Sequence, residues 1–145
     1  MVNPADVAAL LPHEGAMCLL SEVLFHDKKS IVCRAESHRF PNNPLRCEDR
    51  LPALAGIEYA AQAIAAHCTL VERNARKERP HGLLAGARAV MLRVSRLDDI
   101  QEALTVQAER LVADGPRFLY AFAIKVGMRE LLSGRIAVVL KEVSA

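Results

Sequence analysis

One carboxylate in a long apolar stretch is the first candidate for chemistry. Residues 51–71, LPALAGIEYAAQAIAAHCTLV, hold a single acid, Glu58, and Gln62 follows it by one helical turn. A buried carboxyl group without a partner is costly, so it either pairs or shifts its pKa. A carboxyl group kept protonated in this way is a general acid. The alternative is a satisfied core acid, or an acid on a wet seam between subunits.

A histidine with a pKa near neutrality is the natural base to accompany such an acid. His13 lies in a loop at residues 12–15, and His38 opens the stretch 38–50, whose prolines exclude regular structure. Both have a plainer interpretation: His13 hydrogen-bonds a loop carbonyl, and His38 is a surface loop residue. His67 follows the apolar helix pattern, so we expect it in the core or at an interface.

The elements that position these residues centre on one helix. Residues 51–71 predict a helix that is apolar on nearly every face, and such a helix is buried on nearly every face. Pro52 suits its first turn and Asp49 is the expected N-cap. The N–H groups at the helix start are available to stabilise a developing oxyanion.

Alternating apolar and polar residues predict strands around this helix. A short helix at residues 3–11 is followed by strands at residues 16–25, 30–37, 82–94, 103–113, 117–126 and 131–140. Asp114-Gly115 is a hairpin signal, and Gly86 within a strand indicates a bulge or a close approach. The predicted fold class is α+β: one domain, residues 1–145, with an antiparallel sheet wrapped round a long central helix. Because one sheet cannot cover a helix on every side, we expect a dimer.

Composition argues against several classes of protein. The net charge is +2 and no basic run is interleaved with aromatic residues, which disfavours nucleic-acid binding. The four cysteines show no C-x-x-C spacing, so we expect them to be reduced thiols that bind no metal. No signal peptide is apparent, and the polar residues within 51–71 disfavour a membrane span. We therefore expect a cytoplasmic protein without nucleic-acid or membrane partners.

Three segments resemble one known family. Residues 11–13 (LPH), followed by residues 17–23, are similar to the opening of the hotdog-fold 3-hydroxyacyl-acyl carrier protein dehydratases. Residues 57–62 (IEYAAQ), led by Leu51-Pro52, resemble that family's helix with its E-x-x-A-Q motif. Residues 82–88 (GLLAGAR) resemble the dehydratase-like subgroup of aryl polyene pigment biosynthesis.

This resemblance implies an activity and a set of roles. The reaction is dehydration of 3-hydroxyacyl thioesters to trans-2-enoyl thioesters in fatty acid or aryl polyene type synthesis. Glu58 is the implied acid and either His13 or His38 the base, with Gln62 orienting Glu58 or the released water. The positions implied to contact substrate are Pro52, Gln62, Gly86 and Arg88. The implied partners are acyl carrier protein, whose phosphopantetheine carries the substrate without a further cofactor, and a second hotdog subunit, identical or different.

One segment departs from the family pattern. Typical dehydratases carry the catalytic histidine in a G-H-F-P-G loop, whereas alignment on Phe40-Pro41 puts Arg39 at that position and His38 one place early. Three functions therefore remain open: a dehydratase, an acyl thioesterase that uses the helix carboxylate to direct water, and a non-catalytic subunit of a heterodimeric dehydratase. The LPH opening favours the first, and the altered loop keeps the third open.

Overall fold

A computed structural model describes residues 17–72 and 83–140. The predicted helix at residues 3–11 and His13 lie outside the described residues. The strands are β1 Glu22–His26, β2 Ser30–Ala35, β3 Leu83–Leu92, β4 Leu104–Asp114, β5 Arg117–Val126 and β6 Arg129–Leu140. They form one antiparallel sheet in the order β1-β2-β4-β5-β6-β3, which confirms the predicted architecture.

The central helix starts later than the sequence predicts. Helix α1 spans Gly56–Glu72, after a 3₁₀ turn at Ala53–Ala55 whose N-cap is Pro52 in an extended conformation. The predicted cap by Asp49 is wrong. Glu48 and Asp49, with φ of 53° and 62°, form the tip of a tight exposed turn closed by Cys47 and Arg50, so Asp49 lies before the helix start and does not cap it.

Two predictions about glycines have different outcomes. Gly115 adopts φ of 58° and Asp114 pairs with Arg117, so the predicted hairpin forms with a two-residue turn. No bulge lies at Gly86, and a Cβ there would meet nothing within 4 Å. The irregularity of β3 falls instead between Arg88 and Met91.

The helix packs closely against the inner face of the sheet, where it contacts β2, β3, β4 and β5. At its start, a Cβ on Gly56 would stand 2.7 Å from the Leu132 side chain, so any larger residue there would force Leu132 to move. The core is largely aliphatic, as the scarcity of aromatic residues indicates. Within the described residues, no helix is both long and apolar enough to cross a membrane.

Candidate active site

One stripe of α1 and its leading turn is incompletely covered by the sheet. It consists of Leu54, Glu58, Ala61, Ala65 and Thr69, which follow one another at intervals of three or four residues and so share a face. Leu54 is 56% exposed, and exposure falls to 8% at Ala65. One sheet thus leaves part of the helix open, as expected, and burial of this face by a second subunit stays a prediction. We call these five residues the open stripe.

Glu58 lies on the open stripe in the first turn of α1 and is half-buried. The sheet packs on the opposite faces of the helix, so within one chain the Glu58 side chain is only partly enclosed. A carboxylate in a first turn also interacts favourably with the positive end of the helix dipole. Glu58 is thus the acid that this chain presents beside an uncovered apolar surface.

Most backbone donors at the helix start are already used. The N–H groups of Ala53, Ala55 and Gly56 donate to backbone carbonyl oxygens, the first of them to Ser95 at 3.0 Å. The amide of Leu54, one turn before Glu58, makes no hydrogen bond within the described residues. The predicted set of oxyanion donors therefore reduces to the Leu54 amide.

The segment that leads into the helix is held by the connection between β3 and β4. Asp98 accepts a hydrogen bond from the Leu51 amide at 2.9 Å, and Leu97 donates one to the Leu51 carbonyl at 2.8 Å. Together with the bond from Ala53 to Ser95, these contacts flank Pro52 on both sides. Sequence reasoning missed Asp98, since a carboxylate in a polar loop gives no local signal of such a partner.

Gln62 is buried and anchors another segment to the helix. Its side-chain nitrogen donates to the Met17 carbonyl at 2.6 Å, and its oxygen accepts from the Leu19 amide at 2.9 Å. Only 1% of the residue is exposed. These bonds hold residues 17–19 against α1, so the Gln62 side chain is bonded to backbone atoms. Its predicted role beside Glu58 or the substrate stays a prediction.

His38 is fully buried, so its interpretation as a surface residue is wrong. Its Nε2 lies 3.0 Å from the Ile100 carbonyl oxygen, which can only accept, so Nε2 carries the proton. Burial lowers the pKa of His38, and the nearby carbonyls of Ile100 and Glu102 only partly oppose that effect. A neutral imidazole bonded to backbone links the loop before the helix to the β3–β4 connection.

A buried hydroxyl network fixes the same loop. The Ser37 hydroxyl donates to the Leu19 carbonyl at 2.8 Å and therefore accepts from the Tyr59 hydroxyl at 2.7 Å. Tyr59 in turn accepts from the Asn43 side-chain amide at 3.0 Å. Burial raises the pKa of Tyr59, so this phenol stays protonated. The sequence offered no signal for Ser37, Tyr59 or Asn43 beyond ordinary polar residues.

The remaining predicted residues lie at two places. Pro52 is exposed at the start of the 3₁₀ turn, six positions before Glu58. Gly86 and Arg88 are exposed on β3, which among the described strands pairs with β6 alone and so forms an edge of the sheet. The structure therefore brings Pro52 and Glu58 to one end of the helix, and puts Gly86 and Arg88 on the sheet edge.

Comparison with known proteins places the chain in a family. Residues 5–144 match the model of the ApeP-like family, described as ApeP dehydratase. The chain belongs to the ApeP-like dehydratase family. The match confirms the resemblance to the dehydratase-like subgroup. No curated protein sequence matches the chain.

Solved structures share the fold of this ApeP-like chain. A chain of the dehydratase heterocomplex ApeI:P from Xenorhabdus doucetiae aligns with a TM-score of 0.84 and 24% identity, over 94% of this chain and 91% of that one. AziG from S. sahachiroi aligns with a TM-score of 0.62 and 8% identity, over 88% of this chain and 94% of AziG. A mutant of the thioesterase SAV0944 from Staphylococcus aureus aligns with a TM-score of 0.54 and 13% identity, over 83% of this chain and 92% of that one. These likenesses confirm the hotdog fold.

The far end of α1 in this ApeP-like protein holds a second polar cluster. His67 is fully buried, with Nε2 2.8 Å from the Asp27 carbonyl oxygen and Nδ1 2.6 Å from the Tyr120 hydroxyl. The carbonyl requires Nε2 to donate, so Nδ1 accepts from Tyr120, which also accepts from Arg110 Nε at 3.0 Å. Burial lowers the pKa of His67. The prediction of a core histidine is confirmed.

Proposed function

We propose that this protein dehydrates 3-hydroxyacyl thioesters on acyl carrier protein to trans-2-enoyl thioesters in aryl polyene type synthesis. The observation that carries the proposal is Glu58, half-buried on the open stripe at the start of the central helix of an ApeP-like chain. The structural requirement of the reaction is an acid for the leaving hydroxyl and a base for the α-proton on one substrate. Glu58 fills the first role.

His13 fills the second role. Met17, four residues further along the chain, is bonded through its carbonyl to Gln62, which stands one helical turn beyond Glu58. Four residues of extended chain span at most about 14 Å, so the connection to Met17 allows His13 to reach the Glu58 carboxyl group. His38 is the weaker base, because its protonated nitrogen is committed to the Ile100 carbonyl and its ring is enclosed.

The reaction then balances within one substrate. The base takes the α-proton, the C–O bond to the 3-hydroxyl breaks as the carbon–carbon double bond forms, and Glu58 protonates the departing oxygen to give water. The Leu54 amide donates to the thioester oxygen, where negative charge develops. The site is restored when the base releases the α-proton and Glu58 takes up a proton by exchange with solvent.

A second hotdog protein completes the site. The open stripe exposes Leu54 next to Glu58, and the β3 edge exposes Met91 and Leu92 at 55% and 48%. Unpaired edges and apolar surfaces of this kind favour a subunit contact. The structural relative from Xenorhabdus doucetiae is a heterocomplex, and this supports a partner that is different from this chain. An identical partner is the alternative.

A paired turnover assay tests the proposal. Purified protein, alone and with a candidate hotdog partner, is incubated with 3-hydroxyacyl-carrier protein; mass spectrometry follows loss of one water, and a thiol reagent follows release of the carrier. Enoyl product that disappears in Glu58→Gln supports the proposal. Released thiol would make the protein a thioesterase. Enoyl product that is the same with wild type and Glu58→Gln, and depends on the partner, would make it a non-catalytic subunit.

A further inference from the structure

We propose that Asp98 is a positioning residue for the reaction, one that acts through the backbone of Leu51 to hold the Leu54 amide and Glu58 in register. This inference rests on the proposed function. Asp98 lies outside the motifs that carry the family resemblance. It is separated from Leu51 by 47 positions in the sequence.

The carboxylate of Asp98 is built into a fixed arrangement. Its side chain is only 6% exposed. Oδ1 accepts from the Leu51 amide at 2.9 Å and from Arg96 Nε at 3.0 Å, while Oδ2 pairs with Arg96 Nη2. The Arg96 guanidinium holds the pKa of Asp98 well below its usual range, so the carboxylate stays charged. A bidentate pair of this kind also fixes the orientation of the acceptor.

The bond to Leu51 matters because the leading turn of the helix is fixed by hydrogen bonds to the β3–β4 connection. Pro52 has no N–H, so it contributes no donor to the leading turn. On one side of Pro52, Leu51 is bonded to Asp98 and Leu97. On the other side, Ala53 is bonded to Ser95. We call these three residues of the β3–β4 connection the helix-start clamp. It determines where the next amide, that of Leu54, points.

Displacement of the clamp is expected to change rate more than binding. Leu54 and Glu58 stand one turn apart, so a shift of residues 51–53 moves the proposed oxyanion donor relative to the proposed acid. Misplacement of a catalytic group by about 1 Å can cost on the order of 100-fold in rate. Asp98 itself does not touch the reacting atoms in this scheme, so it affects kcat through geometry.

Asp99 provides a matched control. It is the adjacent residue with the same charge, 59% exposed on its side chain and 4.0 Å from Arg96 Nε, and it makes no hydrogen bond to the leading turn. Asp98→Ala and Asp99→Ala therefore remove the same charge from neighbouring positions. Only the first removes the partner of the Leu51 amide.

The test measures kcat and KM of the assembled enzyme with the carrier-bound substrate. Asp98→Ala is expected to lower kcat by about 10- to 100-fold with little change in KM, whereas Asp99→Ala stays near wild type. Asp98→Asn keeps an oxygen for the Leu51 amide and should recover most of kcat. If Asp98→Ala does not fold, Asp98→Ser, whose side chain is too short to reach Leu51, replaces it. Thermal melting confirms that each variant is folded.

Several results would overturn the inference. Wild-type kcat in folded Asp98→Ala, equal losses in Asp98→Ala and Asp99→Ala, or no recovery in Asp98→Asn each contradict positioning through Leu51. A wild-type enzyme that forms no enoyl product contradicts the proposed function instead. Hydrogen exchange then decides the structural part: faster exchange at residues 51–57 in Asp98→Ala than in Asp99→Ala supports the clamp, and equal exchange overturns it.

Discussion

The two ends of helix α1 carry polar side chains in opposite circumstances. At the N-terminal end, Glu58 is half-buried beside the exposed Leu54, on a face that the sheet leaves open. At the C-terminal end, His67 is fully enclosed, and both ring nitrogens are bonded, to the Asp27 carbonyl and the Tyr120 hydroxyl. Residue type alone would rank the histidine as the better proton carrier. The surroundings reverse that order.

The difference lies in what a proton transfer would require. A base needs a lone pair that faces its substrate. The lone pair of His67 Nδ1 instead accepts a hydrogen bond from the Tyr120 hydroxyl. Protonation of Nδ1 would place a second donor against Tyr120, which already accepts from Arg110. The C-terminal end therefore stabilises the fold, whereas the proposed site lies at the N-terminal end.

The largest effect on stability is expected from His67→Ala. The change leaves a cavity and removes one hydrogen-bond partner from the Tyr120 hydroxyl and one from the Asp27 carbonyl, so the free energy of unfolding should fall by about 2–5 kcal/mol. Urea unfolding measures the loss. His26→Ala, at an exposed histidine, should stay within about 0.5 kcal/mol of wild type. Equal effects of the two changes would contradict the structural role of His67.

A matched pair of tyrosines sharpens the comparison. Tyr59 and Tyr120 are both fully buried with bonded hydroxyl groups, one toward each end of the helix. Conversion of either to Phe should cost about 1–3 kcal/mol in stability, because it leaves buried partners unsatisfied. Only Tyr59→Phe should also lower kcat, by about tenfold, since it loosens the loop beside the site. A larger kcat loss in Tyr120→Phe would break the division between the two ends.

The smallest effect is a dependence of stability on pH. Burial lowers the folded-state pKa of His38 and His67 below the unfolded value of about 6.5. The unfolded chain therefore takes up protons first as pH falls below about 6.5, and the free energy of unfolding should decrease in that range. Urea midpoints at pH 5.5 and 7.5 test the sign, and His67→Gln should reduce the slope. A midpoint that is higher at pH 5.5 would contradict it.

Much of the fold could be predicted because its signals are local. The apolar run of α1 and the alternation in β4 and β5 depend on neighbouring residues, and so does the turn at Gly115. Glu58 could be selected by the same means, as the acid in an apolar helix. The contact that fixes the segment before the helix could not, because Asp98 meets the Leu51 amide only after two segments 47 positions apart come together.

The partners of the histidines were also beyond the sequence. His38 bonds to Ile100 and His67 to Asp27 and Tyr120, all separated from them by 40 or more positions. Imidazole chemistry is the same in both a base and a core residue, so only the contacts distinguish the two. Gln62 shows the same limit, because the motif that contains it does not reveal that its amide is bonded to Met17 and Leu19.

In the proposed function the Glu58 end of the helix does chemistry and the His67 end does not. Its most direct test is kcat/KM for dehydration, measured together with the free energy of unfolding, for Glu58→Gln and His67→Gln in the same assembled enzyme. We predict that Glu58→Gln loses at least about 100-fold in kcat/KM while the free energy of unfolding changes by at most about 1 kcal/mol, and that His67→Gln loses stability while its folded fraction keeps wild-type turnover. Full turnover in Glu58→Gln, or its loss in folded His67→Gln, would contradict the account.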